Sequence, residues 1–158
     1  MRYYSVYFLK VFSKREGENN SLAVVIANDP LSESDMREIS KNINQPLTVF
    51  VKREDRDIFD GKIFSRGSKV DLSPEAAIGV FYTLAEEKFI EGLDLGNKEV
   101  ILITDKGKAK VELEYKNGDI QCVYTKVSET FSLKIDSEGD FIRLGGRAHI
   151  YLNGILKI

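Results

Sequence analysis

Three polar side chains stand at alternate positions where a strongly apolar segment begins: Asp71, Ser73 and Glu75. Ser73 is a favourable helix N-cap, Pro74 suits the first helical turn, and the acidic Glu75 interacts well with the positive end of a helix dipole. Backbone N–H groups at a helix start also attract anions, and an enclosed helix start is a common place for a substrate carboxylate. Capping alone explains Ser73, so a structural role and a ligand site both remain open for this segment.

The other reactive side chains fit structural roles better. Cys122 alternates with Ile120 and Tyr124 in a predicted strand, so we expect all three on one face and a packed thiol rather than a nucleophile. His149 has no acidic neighbour in sequence to orient it as a base. The lysine-rich segment 106–110 falls at a predicted hairpin, where charged side chains keep the turn solvated.

Composition excludes several classes of protein. The formal net charge is -2 and the sequence pI about 5.6, which disfavours a nucleic-acid partner. No apolar run is long enough to span a membrane, and we expect a soluble protein without a membrane partner. One cysteine and one histidine are too few for a metal cluster, and no phosphate-binding glycine loop or nucleophile elbow occurs. We therefore predict no metal, no cofactor and a cytoplasmic location.

The chain is long enough for one ordinary domain, which we assign to residues 1–158. Hydrophobic residues make up 42% of the sequence and prolines number 3, so a sizeable core is expected. The frequent Lys, Glu and Ile suggest a thermophilic source.

Two helices of different character are predicted. The first begins after the N-cap Ser32, carries Met36, Ile39 and Ile43 on one apolar stripe, and is stopped by Pro46. The second begins after Ser73 and is apolar nearly all round from residue 76 to 85, which is typical of a helix enclosed by a sheet. One helix should therefore lie on the surface and the other in the core.

Strand signals account for most of the remaining chain. A meander is predicted for the C-terminal half, with polar turns at residues 116–119 and 137–140. The predicted strands cover residues 3–12, 22–27, 48–52, 57–65, 100–104, 109–115, 120–125, 131–135, 141–144 and 149–152. This pattern predicts an α+β fold in which a curved, mostly antiparallel sheet or barrel wraps around a buried central helix, with one outer helix.

Segments near both ends of the chain carry the pattern of a known family. Residues 19–24 take the place of its G-N-P-x-A-V motif, with Asn20 retained. Ile39 to Val51 aligns without gaps on its helix and following strand, I-A-R-E-x-N-L-S-E-[ST]-T-F-V, with Asn44 retained. Residues 62–66 match R-I-F-T-P, and residues 142–148 match V-R-V-G-G-x-A. The chain resembles the phenazine-biosynthesis PhzF-like isomerases, which have the diaminopimelate-epimerase-like fold.

The sequence departs from that family at positions of chemistry. The family's proton-shuttling glutamate corresponds to Leu47, and its G-H-P-x-x-G corresponds to residues 74–79, so that Glu75 replaces the histidine. Family members have two related domains facing a cleft, whereas this chain resembles the first domain followed by the closing strands. The resemblance therefore implies a homodimer that reproduces the two-domain shape, with a Glu75 on each side of one cleft.

Two functions follow from the resemblance. The first is an isomerase or epimerase that moves a proton on a small carboxylate substrate without a cofactor. In this reading Glu75 is the acid/base, and Asn20, Ser73 and Asp71 help to bind the substrate. The alternative is a catalytically inactive homologue that acts as a small-acid binding or assembly module, which the leucine at position 47 favours.

Overall fold

A computed structural model describes residues 2–13, 21–136 and 139–158. In chain order the described elements are β1 (Tyr3–Ser13), β2 (Ser21–Ile26), α1 (Glu33–Ile43), β3 (Leu47–Asp55), β4 (Ile58–Ser65), β5 (Ser68–Val70), α2 (Pro74–Glu86), β6 (Leu95–Thr104), β7 (Gly107–Lys116), β8 (Asp119–Val127) and β9 (Ile142–Lys157).

Eight of these strands close into a barrel. Their order is β3-β2-β1-β9-β8-β7-β6-β4, and pairing of β3 with β4 closes the ring, while β5 adds to β4 as a short hairpin arm. The β2–β3 and β4–β6 pairs are parallel and the other neighbours antiparallel. The predicted α+β fold, a mostly antiparallel barrel around a central helix, is confirmed.

Helix α2 fills the barrel. All residues from Pro74 to Ala85 are buried, which explains why this helix is apolar on every side. The Ser73 hydroxyl caps the helix by accepting a hydrogen bond from the backbone N–H of Ala76 at 3.1 Å. Gly79 lets α2 lie close to β1, because a Cβ at this position would approach Val11 Cγ2 to 2.7 Å. The predicted buried helix is confirmed.

Helix α1 lies outside the barrel and covers part of its outer surface. Met36 and Ile39 belong to a second, smaller hydrophobic cluster that includes Phe50 and Phe64. The predicted N-cap is confirmed, since the Ser32 hydroxyl accepts a hydrogen bond from the N–H of Asp35 at 3.0 Å. The helix ends before Pro46: Asn44 adopts a left-handed φ of 55° and caps it.

Two strand predictions are wrong. Residues 131–135 form no strand: Leu133 makes an isolated bridge to Val127, beyond Thr125 where the pairing of β7 with β8 ends, and the contact does not extend into a ladder. Residues 141–144 and 149–152 are not separate strands but belong, from Ile142 onward, to the continuous β9. Gly145 does not interrupt this strand. A Cβ there would lie 2.6 Å from the ring of Tyr124, so the strand needs a glycine at this position.

The predicted side-chain alternation in β8 is also wrong in one respect. A register shift between Glu114 and Tyr115 on the facing strand breaks the alternation, so that Ile120 is buried and Cys122 is half-buried. The Cys122 thiol lies beside Tyr124 on the outer surface of the barrel rather than on the same face as Ile120.

Candidate functional site

A cavity lies where two strands of the barrel separate. The parallel seam between β4 and β6 pairs only residues 58–60 with residues 101–103. Beyond it the same edge of β4 pairs with β5, whereas β6 remains paired with β7 on its other edge and ends in the turn between them. A cavity of about 620 Å³ occupies this opening, between the β4–β5 arm, the β6–β7 turn and the start of α2. Its volume is within the range of about 300–1,000 Å³ typical of small-molecule sites.

The cavity is lined by polar and apolar side chains from several elements. The first turn of α2 contributes Ser73, Pro74 and Glu75. Glu75 is only 5% exposed and is therefore largely withdrawn from water. The apolar wall consists of Ile63, Val70, Leu72, Leu133 and Ile135. The start of α2 favours negative charge because its backbone dipoles point their positive ends toward the cavity.

Two sets of ion pairs cross the mouth of the cavity. Lys62 Nζ lies 3.2 Å from Asp105 Oδ1, and Lys69 Nζ lies 2.5 Å from Asp105 Oδ2. In a third pair the lysine comes from the β6–β7 turn and the aspartate from the segment after β5: Lys106 Nζ lies 2.6 Å from Asp71 Oδ2. The hydrogen bonds from Lys69 and Lys62 lower the pKa of Asp105, and the same contact raises the pKa of Lys69. The β6–β7 turn is thereby tied to the β4–β5 arm.

The sequence-predicted site residues are brought together in part. Asp71, Ser73 and Glu75 all line the cavity. The Ser73 hydroxyl is engaged in helix capping, and the Asp71 side chain is 70% exposed and bound to Lys106. Asn20 lies outside the described residues. Of the four candidates, Glu75 is therefore the one whose carboxyl group is buried at the cavity.

Sequence reasoning missed the lysines of this site. Lys106 was expected to solvate a hairpin turn, yet it lines the cavity together with Lys62 and Lys69. Lys106 does lie in the β6–β7 turn, but that turn is next to β5 and α2 only because β4 and β6 pair across a long stretch of sequence. The sequence signal available for Lys106 was a predicted hairpin turn. Such a signal does not show which other elements the turn contacts in the fold.

Cys122 and His149 do not line this cavity. Cys122 is half-buried on the outer surface, where its hydrogen bond to Tyr124 is the main cause that raises the pKa of that phenol to about 12. His149 is exposed on β9. A structural role for Cys122 and His149 stays a prediction.

Leu47, at the position of the family's proton-shuttling glutamate, does not line the cavity either. It begins β3 and packs, partly buried, against the main core. Among residues 2–13, 21–136 and 139–158, no group of three or more His, Cys, Asp and Glu side chains is arranged to hold a metal ion. No helix in the same ranges is long and apolar enough to cross a membrane.

A closed barrel around one buried helix, with a polar cavity at the start of that helix, defines a fold shared with isomerases and epimerases. The family model for phenazine biosynthesis-like proteins matches residues 9–138. The chain belongs to this family, and the resemblance inferred from its motifs is confirmed.

The individual relatives that match the chain are about twice its length. It is 25% identical, over 140 residues, to an uncharacterized isomerase of Clostridium acetobutylicum, an alignment that covers 87% of this chain and 45% of the relative. A PhzF-family phenazine biosynthesis protein of Bacillus anthracis matches with a TM-score of 0.64 and 21% identity, over 81% of this chain and 42% of that one. The chain thus spans less than half the length of these relatives.

The fold extends to a further class of epimerase. A hydroxyproline epimerase of Agrobacterium vitis, whose structure contains trans-4-hydroxy-L-proline, matches with a TM-score of 0.60 and 17% identity. This match covers 80% of the present chain and 42% of the epimerase. At this level of identity the likeness concerns the fold alone.

Proposed function

We propose that the cavity at the start of α2 binds a small carboxylate and that Glu75 transfers a proton on it, as in an isomerase or epimerase. The observation that carries the proposal is the position of Glu75, 5% exposed and lining a cavity of about 620 Å³. A carboxyl group in reach of a ligand and shielded from water is a suitable general acid or base. The structure of the hydroxyproline epimerase with its amino-acid ligand supports the choice of a small acid.

The proposed step needs only proton transfer. The Glu75 carboxylate takes the proton from the carbon next to the substrate carboxylate, so that the C–H bond breaks and an O–H bond forms. The electron pair left on carbon is delocalised into the adjacent carboxyl group. Positive charge from the start of α2 stabilises the dianionic intermediate. In a β,γ-unsaturated acid the electron pair also extends over the double bond, so that return of the proton to the γ carbon moves the double bond and completes an isomerisation.

An epimerisation needs an acid on the opposite face of the substrate. We propose that a second copy of the chain supplies it, in a homodimer whose two cavities face one another. Apolar side chains at this end of the barrel support the proposal: Phe131, Phe141 and Ile142 are 40%, 50% and 48% exposed. In such a dimer the two Glu75 carboxyls would lie on either side of one ligand.

A second candidate function is binding of a small acid without turnover. It is favoured by Leu47, which places an apolar side chain where the family has its proton-shuttling glutamate. In this case the ligand would occupy the same cavity, and the dimer would serve for assembly.

Hydrogen–deuterium exchange at substrate carbon separates these functions. The protein is incubated in D₂O with a panel of small 2-amino, 2-hydroxy and unsaturated acids, and loss of the C–H signal is followed by proton NMR. The proposed enzyme exchanges at least one acid, and Glu75→Gln abolishes the exchange without changing the thermal midpoint by more than a few degrees. Glu99→Gln, an exposed carboxylate on β6, is the matched control and keeps full activity.

Two results would count against parts of this proposal. Binding of an acid without exchange would replace the enzyme with the binding module, and full activity of Glu75→Gln would remove the assigned acid/base. A monomer by light scattering over a range of protein concentrations would exclude the face-to-face homodimer.

A further inference from the structure

The turn between β6 and β7 carries two charged residues of opposite sign, and both are paired across the mouth of the cavity. Asp105 is held by Lys62 and Lys69 of the β4–β5 arm. Lys106 is held by Asp71, which follows β5. We propose that this turn is a gate to the cavity, closed by these ion pairs and opened when they separate. The gate controls access to the cavity in either of the functions proposed above.

The charges around the gate match one another. Lys69 Nζ also lies 3.7 Å from Glu33 Oε1 of α1, so three lysines are matched by three carboxylates. Each charge of the turn faces its complement on the arm. If the turn exchanged its two partners, Asp105 would face Asp71 and Lys106 would face Lys69, and like charges would repel. The ion pairs therefore specify one closed position of the turn.

The turn is joined to the arm through side chains. Between residues 61–72 and 104–106, all of which the structure describes, the ladder of β4 and β6 does not continue: its last pair is Asp60 with Ile103. The side chains of Asp105 and Lys106 are 53% and 64% exposed, and ion pairs of this exposure contribute little stability. A movement of the turn that separates these ion pairs and leaves the ladder intact is therefore a low-energy local opening.

The closed turn shields the inner part of the cavity from solvent. Asp105 and Lys106 line the cavity. Ile63, Leu72 and Glu75 line the same cavity, yet they are only 3%, 8% and 5% exposed. A small acid is several times larger than a water molecule, so contact with these side chains needs a wider passage. Outward movement of the turn removes one wall of the mouth and provides that passage.

Cysteine labelling measures access to the inner cavity. Ile63→Cys is introduced together with Cys122→Ser, and its alkylation by the neutral reagent iodoacetamide is followed by mass spectrometry. Leu72→Cys serves as a second reporter of the same cavity, and Tyr151→Cys on β9 corrects for the effect of salt on an accessible thiol. From about 0.01 M to about 1 M sodium chloride the Debye length falls from about 30 Å to about 3 Å. Labelling at position 63 should then become about fivefold faster, which corresponds to the loss of one or two exposed ion pairs.

Charge reversal identifies the ion pair that closes the gate. In the Ile63→Cys protein at low salt, Asp71→Lys and Lys106→Asp should each speed labelling about fivefold, because each places like charges opposite one another. The two substitutions together restore an opposite pair and should restore the slow rate. Lys116→Asp, the same change of charge at the exposed far end of β7, should leave the rate unaltered.

Three results would overturn the gate. Labelling at position 63 as fast as at position 151 would show that the cavity is always accessible. A rate insensitive to salt and to both single reversals would show that the ion pairs do not limit access, and a double reversal that stays fast would show that pairing of charges is not the cause. The test uses no substrate and leaves Glu75 unaltered, so the gate and the proposed function can fail separately.

Discussion

The two ends of helix α2 are closed in different ways. At its carboxyl end the barrel is sealed by aromatic and cationic groups, and the cleft that remains there measures about 10 Å³. Tyr7 and Phe89 pack edge to face with their ring centroids 6.3 Å apart. Arg53 lies 4.9 Å from the centroid of the Phe59 ring and donates a hydrogen bond to the carbonyl of Phe89. At the amino end the cavity of about 620 Å³ is crossed only by exposed ion pairs.

This difference shows which part of the barrel stabilises the fold and which part is available for a ligand. The sealed end buries apolar surface, the main source of folding free energy. At the open end Glu75 and the start of α2 line a space that the side chains of residues 2–13, 21–136 and 139–158 leave unfilled. Incomplete packing there costs stability, and the binding of a ligand would recover part of it.

Truncation of one leucine at each end should produce the largest contrast. Leu84 is 1% exposed at the sealed end, and Leu84→Ala should lower the free energy of unfolding by about 3 kcal/mol, because the packed surroundings cannot collapse into the new void. Leu72 borders the existing cavity, and Leu72→Ala should cost about 1–2 kcal/mol. Urea denaturation followed by circular dichroism measures both values. Equal losses would contradict the different packing of the two ends.

Removal of one cation at each end should give a smaller contrast. Arg53→Met loses both the contact with Phe59 and the hydrogen bond to Phe89, and should destabilise the protein by about 1 kcal/mol. Lys106→Met loses a single exposed ion pair and should change stability by less than about 0.5 kcal/mol. Thermal unfolding of the two variants under the same conditions measures both losses of stability. A larger loss for Lys106→Met than for Arg53→Met would contradict the expectation that the cation at the open end contributes less to the stability of the fold.

The smallest expected changes in the free energy of unfolding concern two aspartates near the mouth of the cavity. Hydrogen bonds from Lys69 and Lys62 lower the pKa of Asp105, whereas burial raises the pKa of Asp60. The ionised Asp105 thus stabilises the fold above its ordinary value of 3.8, and this contribution disappears as the pH falls through its lowered pKa. The ionised Asp60 destabilises the fold, and the penalty is absent at a pH below its ordinary value.

Asparagine substitutions should reveal the opposite signs. At pH 7 Asp105→Asn should lower the free energy of unfolding and Asp60→Asn should raise it, each by less than about 1 kcal/mol because both sites are solvent-accessible. Below pH 3 the Asp60 variant should match the unaltered protein, and the deficit of the Asp105 variant should shrink. Stability curves from pH 2 to pH 7 test this, and shifts of the same sign at pH 7 would be inconsistent with the assigned causes.

Features with local signals were predictable from the sequence. Ser32 and Ser73 cap their helices, and both caps were predictable because serine is a preferred residue directly before a helix. The all-apolar α2 follows from its composition, since a helix without a polar side must be enclosed. Asn117 and Gly118 form the predicted β7–β8 turn, each with a positive φ, because these residue types tolerate that conformation.

Features set by distant pairing were not predictable. Residues 131–135 contain apolar side chains at strand-like spacing, but the edge of β8 is open to them only beyond Thr125, where Leu133 makes a single bridge to Val127. The place of Lys106 at the cavity depends on where the β6–β7 turn docks, and hence on the pairing of residues 58–60 with residues 101–103. Local residue types do not encode either outcome.

The short seam between β4 and β6 also bears on motion. Only three residues of each strand pair there, whereas β1 and β9 pair from Tyr3 to Ser13. Local opening of a barrel begins where the fewest hydrogen bonds must break, so the amide protons of Ile101 to Ile103 should exchange with solvent before those of β1. The residues that follow the seam, 61–63 and 104–106, line the cavity, and we expect opening of the seam to widen the passage to Glu75. Local opening of the barrel and entry of a ligand would then be the same conformational event, and amide hydrogen exchange can measure its rate.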